Sequence, residues 1–87
     1  MTKINIYCLF DTEGGLYGVY SSIKAVHRDA LRLCNKGASS VFIRNSEGQR
    51  KPDITLLRNL FKGEMDVKIR YFSDKASATI LKTGLKE

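Results

Sequence analysis

The stretch from Ser21 to Gly37 leaves this chain little freedom in how it folds. Ile23, Val26, Ala30, Leu33 and Cys34 recur at spacings of three and four. At 3.6 residues per turn they gather into one apolar stripe of a helix. Ser21 or Ser22 offers an N-cap and Gly37 a stop, so the helix is predicted to reach Lys36. Nearly opposite the stripe stand Lys24, Arg28, Arg32 and Lys36, four residues apart. Successive members of such a row drift by ~40°, which makes a slanting basic ladder roughly 18 Å long. A helix divided in this way must lay its stripe on other elements of the chain.

Those elements are legible on both sides. Residues 4–10 alternate, with Ile4, Ile6, Cys8 and Phe10 on one face and Asn5, Tyr7 and Leu9 on the other. Asp11-Thr12-Glu13-Gly14-Gly15 is a turn, and residues 16–21 return as the second strand of a hairpin. Residues 41–44 read as a short third strand. Residues 45–52 form an exposed loop carrying Arg50 and Lys51. Asp53 caps a second helix through Leu56, Leu57, Leu60 and Phe61, which Gly63 closes. Residues 67–72 alternate again, with Val67, Ile69 and Tyr71 facing away from Lys68, Arg70 and Phe72. Ser73 and Asp74 then start a last short helix, although Thr79 to Leu81 also suits a strand. The expected order is β-β-α-β-α-β-α. It describes a single α+β domain over residues 1–87, with a small antiparallel or mixed sheet of about four strands and two or three helices.

Charge bears on function. The net charge is +6, and of the nine acids only Asp29 falls inside a predicted helix. The others sit in turns, caps or the tail, while the bases occupy outward faces, so a positive potential spreads over extended surface. That suits a polyanion or an acidic protein as partner, and it also suits solubility alone. No run approaches the ~20 apolar residues of a membrane span. The two cysteines, Cys8 and Cys34, make neither a disulfide framework nor a zinc site, and each reads as a small core residue. With no secretory n-region or h-region, a reducing cytoplasm is the expected setting.

Catalytic chemistry finds no foothold. His27, the single histidine, lies at the edge of the apolar stripe, two helical turns (~10 Å) from Cys34. Gly14-Gly15 lacks the lysine and helix cap of a phosphate loop. No catalytic residue, metal or cofactor is expected. Two basic constellations remain. In the ladder, like charges at i,i+4 each cost a helix roughly 0.2–0.5 kcal/mol, which phosphates or acidic side chains would relieve. The second is Phe42, Arg44, Lys68, Arg70 and Phe72, rings interleaved with bases as in single-stranded RNA recognition. Its plainer reading makes Phe42 and Phe72 core beneath the second helix.

The passage from Phe10 to Ser22, leading into the basic helix, resembles the start of small accessory proteins of large tailed bacteriophages. In size and basic character the chain is most similar to the inhibitory factor that such phages deploy against the host toxin ribonuclease ToxN. The resemblance implies a cytoplasmic inhibitor that binds a ribonuclease, RNA or both. It assigns no functional residue.

The expectation is therefore a non-enzymatic basic protein that binds RNA or an RNA-containing complex. Lys24, Arg28, Arg32 and Lys36 would contact phosphates, and Arg44, Arg50, Lys51, Lys68 and Arg70 would extend the footprint. The alternative is an inhibitor or adaptor that docks the ladder on an acidic protein such as a host ribonuclease. A homodimer, paired through residues 67–72 as a sheet edge, is a third reading.

Overall fold

Alternation along residues 4–10 sends Tyr7 and Leu9 into the core and leaves Cys8 and Phe10 half-buried on the other side of the strand. The computed structural model describes residues 4–34, 41–45, 48–63 and 66–85. Within them the elements are β1 Ile4–Phe10, β2 Leu16–Tyr20, α1 Ile23–Cys34, β3 Phe42–Asn45, β4 Gly48–Arg50, α2 Ile54–Leu60, β5 Val67–Phe72 and β6 Ser77–Leu85. The six strands form one antiparallel sheet in the order β2-β1-β6-β5-β3-β4.

The α+β class is as expected, but the strand count and element order are not. The tail expected to be a third helix, with a strand at Thr79 to Leu81 as the alternative, is β6, which is paired with β5 from Ser77 to Lys82 and with β1 from Thr79 to Leu85. The cap signal at Ser73 is real but local. Its Oγ accepts from the Lys75 and Ala76 amides, and the Ser73 amide donates to the Ala76 carbonyl, closing the turn of a β-hairpin. The β-branched Thr79, Ile80 and Thr83 then favour strand over helix. Residues 48–50, expected in a loop, form β4 against β3. β5, expected as an edge, lies inside the sheet between β6 and β3.

One face of the sheet is core. Register aligns Tyr7, Lys82 and Val67 in one row across β1, β6 and β5, Leu9, Ile80 and Ile69 in the next, and Ala78, Tyr71 and Ile43 across β6, β5 and β3. On this surface α1 lays Val26, Ala30 and Cys34, all fully buried, with Ile23 and Leu33 packed at the margin. The helix is predicted to run to Lys36, but Lys36 and Gly37 lie outside the described residues. α2 adds Leu57 and Phe61, the latter tilted against Tyr7 at 5.4 Å. Asp53 caps α2 as expected, its Oδ1 accepting from the Leu56 amide at 2.8 Å. Gly63 follows at φ 99°, in the left-handed region that glycine enters without penalty.

The other face carries no helix among the described residues. Cys8, expected in the core, lies there half-buried beside Val19 and Leu81. Phe42 and Phe72 lie there too, so they are not core beneath α2.

Candidate nucleic-acid interface

The uncovered face acquires its chemistry from strand alternation. Tyr71 and Ile43 point into the core, so Phe72, Arg70 and Lys68 on β5 and Phe42 and Arg44 on β3 emerge on the opposite side. Register sets Phe42 directly against Phe72, with ring centroids 6.3 Å apart. The Arg44 guanidinium lies over the Phe72 ring, 5.5 Å from its centroid, a cation–π contact that holds both planar groups at the surface. Arg44, Arg70 and Phe72 line a cavity of about 440 Å³ together with Thr12, Ser73, Ala76 and Ser77.

Three hydroxyls border this cavity, and two of them fix its wall. The Thr12 hydroxyl donates to the Ser77 carbonyl at 2.8 Å and accepts from the Ser77 amide at 3.0 Å, pinning the β1–β2 turn to the start of β6. The Ser73 hydroxyl also reaches the Cys34 carbonyl at 2.9 Å, tying the β5–β6 turn to the end of α1. Reading along the chain missed Thr12, Ala76 and Ser77. Their only signal was turn chemistry, which does not say where a turn lands.

Arg44, Lys68 and Arg70 are exposed, and none has a carboxylate within ion-pair distance among the described residues. The ladder differs. Lys24, Arg28 and Arg32 are exposed on α1, but Asp29 Oδ1 lies 3.3 Å from Arg28 Nε and 3.8 Å from Arg32 Nη1. Asp29 is itself held by the Tyr20 hydroxyl at 2.6 Å, which with the two arginines keeps its carboxyl below the ordinary range. Burial and that same bond push the Tyr20 phenol up to about 12. Part of the ladder's charge is therefore neutralised within the molecule.

The nine candidate bases do not form one footprint. α1 packs on the core face, so its ladder and the Arg44–Lys68–Arg70 group lie on opposite sides of the sheet. Arg50 and Lys51 are exposed at and just beyond the β4 edge. Lys36 cannot be placed, being outside the described residues.

The reactive side chains are otherwise engaged. Cys34 is fully buried, and burial pushes its thiol up to about 11, which keeps it protonated and unreactive. His27 Nδ1 lies 2.6 Å from the hydroxyl of fully buried Tyr71. Among the described residues that hydroxyl has no other acceptor for its proton, so Nδ1 accepts and the ring carries its proton on Nε2. No group of three metal-ligating side chains occurs among the described residues, and no helix there is long and apolar enough to cross a membrane.

The His27 site has a consequence for stability. Burial lowers its pKa below the usual 6.5, with Asp53 opposing the shift weakly. The unfolded chain therefore binds the proton first, and stability is complete above pH ~6.5 and falls as the pH drops below it. The slope is at most ~1.4 kcal/mol per pH unit. The carboxyl of Asp29 contributes only in a lower window, below its ordinary value of 3.8. Thermal melts between pH 7.5 and 5 should show the loss, and His27→Gln should flatten it.

No protein-family model, curated protein or solved structure matches the chain.

Proposed function

We propose that this chain is a non-enzymatic, single-stranded RNA-binding protein whose ligand lies across the uncovered sheet face. The observation that carries the reading is the adjacent Phe42–Phe72 ring pair flanked by Arg44 and Arg70 at one cavity. Phe42 and Phe72 are half-buried on this face, where rings on a sheet accept unstacked bases while the guanidinium groups and Lys68 hold phosphates between them. A cavity of about 440 Å³ is in the range that takes a small ligand or one nucleotide unit. The hydroxyl of Ser77 at its wall offers a partner to a ribose 2′-hydroxyl, which favours RNA over DNA. The free thiols suit a reducing cytoplasm. The likeness to phage inhibitory factors extends the reading to an RNA-containing complex such as a host toxin ribonuclease with its RNA.

A second reading, docking on an acidic protein, is favoured by a groove of about 450 Å³ at the junction of α1 and α2. Ala25, Leu31 and Ile54 give it an apolar floor, with Lys24 and Arg28 at the rim. Such a groove fits an acidic amphipathic segment better than a phosphate chain.

Fluorescence anisotropy with a labelled single-stranded RNA tests the first reading. With three phosphate contacts, log affinity should fall with log salt at a slope of about −2. Changing Arg28 and Arg32 together to Glu should weaken RNA binding by less than ~5-fold, because that face works only through long-range charge. A larger loss would move the RNA to the ladder, and no RNA binding at low salt would leave the acidic-protein reading.

A further inference from the structure

We infer that β2 is a homotypic pairing edge through which two copies of this chain join into one continuous sheet. β2 is one of the two edge strands. Leu16, Tyr17 and Val19, exposed at 60%, 49% and 56%, are the large hydrophobics left open to solvent among the described residues, and all three are on this strand. Edge strands in soluble proteins are usually guarded by charge, proline, shortness or a covering element. The opposite edge follows that rule, since β4 is three residues long and carries Arg50. β2 is less guarded, because Leu-Tyr-Gly-Val-Tyr contains neither charge nor proline and its one irregularity is a register shift at the Leu16 end.

The sequence of β2 also says what pairs with it. An antiparallel copy centred on Gly18 sets Tyr17 against Val19 of the second copy and Leu16 against its Tyr20. Every pair is apolar or aromatic, as a self-complementary two-fold contact requires. The strand is presented rigidly. Gly18 has no side chain to obstruct the Tyr20 ring, whose hydroxyl an added Cβ would meet at 2.9 Å, and that hydroxyl is anchored on Asp29 of α1. Pairing stops at two copies, because the contact consumes the β2 edge of each chain and the β4 edge is guarded.

A contact of one short strand buries little surface, so the dimer is weak, with a dissociation constant on the order of 10 µM. The remaining positive charges repel one another, so association strengthens with added salt, opposite to RNA binding. The inference does not depend on the RNA reading. If that reading holds, the two Phe42–Phe72 sites lie on the same face of the joined, twisted sheet, roughly 40 Å apart at ~4.8 Å per strand.

Sedimentation velocity from ~5 to ~500 µM, a range bracketing small interfaces, decides the matter. The wild-type chain should pass from monomer to dimer, at lower concentration in higher salt. Val19→Lys should stay monomeric with an unchanged melting temperature, and Leu16→Lys provides the same test should the first variant fold poorly. A wild-type chain that stays monomeric throughout, or a dimer that persists in both folded lysine variants, overturns the inference.

Discussion

Changing Arg44 and Arg70 together to Glu is expected to weaken single-stranded RNA binding by about 100-fold at low salt while the chain stays folded. Both side chains are exposed, border the same cavity and have no carboxylate partner among the described residues. Their replacement removes two cations and sets two anions where phosphates would lie. A hundredfold loss is ~2.7 kcal/mol, a reasonable sum for two phosphate contacts with reversed charge. The salt slope should fall by about two contacts as well, which separates lost phosphate contacts from a misfolded surface. The Arg28→Glu, Arg32→Glu chain is the control, since it carries the same net charge on the opposite side of the sheet. If both variants lose affinity equally, overall charge drives binding and the sheet face has no special role. Phe72→Ala adds a charge-neutral arm. Losing a stacking platform is worth ~1–3 kcal/mol per base and should leave the salt slope intact.

The parts of this arrangement that were legible in the sequence are the periodic ones. The β1–β2 hairpin, the stripe of α1, the Asp53 cap of α2 and the alternation of β5 follow from spacings of two or of three and four, which neighbouring residues set for themselves. Alternation also placed Phe42 with Arg44, and Lys68 and Arg70 with Phe72. It could not say that these two sets lie side by side and away from the helices. That depends on β5 pairing with both β3 and β6, an outcome of long-range packing. The same limit separated the ladder from Arg44 and Arg70, because nothing local tells which side of a sheet a helix will cover. β4 was hidden because Gly-Gln-Arg has no apolar member to mark a period. β6 was half legible, as the strand alternative at Thr79 to Leu81, and its full length was obscured because its inward row of Ala78, Ile80 and Lys82 has a charged residue where a strand pattern calls for an apolar one.

That residue supports the second large prediction, that Lys82→Met destabilises the fold by about 3 kcal/mol. Lys82 is 1% exposed, and its ammonium donates to the carbonyls of Phe61 at 2.9 Å and Gly63 at 2.7 Å. These are carbonyls at the end of α2, where a helix leaves acceptors unpaired and its dipole favours a cation. Two effects compete. Burying an ammonium is costly, and methionine, which preserves most of the stem, relieves that cost. Against this, methionine leaves the buried Phe61 carbonyl without its donor, at ~1–3 kcal/mol for a buried orphan, and also gives up the charge-assisted bond to the partly exposed Gly63 carbonyl. The second effect should win. The Phe61 carbonyl is bonded in a buried setting, and Gly63 is held in its left-handed turn next to it. For a domain of this size ~3 kcal/mol lowers the melting temperature by roughly 12–24 °C. Lys62→Met, at an exposed position beside the same turn, should change stability by less than ~0.5 kcal/mol. Amide exchange gives the finer test. Protection in α2 should drop further than in β1, because Lys82 is the bond between the helix end and the sheet, whereas β1 keeps β2 and β6 on either side. A melting temperature that is unchanged or raised in Lys82→Met would show that the ammonium's burial cost cancels its two bonds. The helix end would then be held by the packing of Leu57 and Phe61 alone.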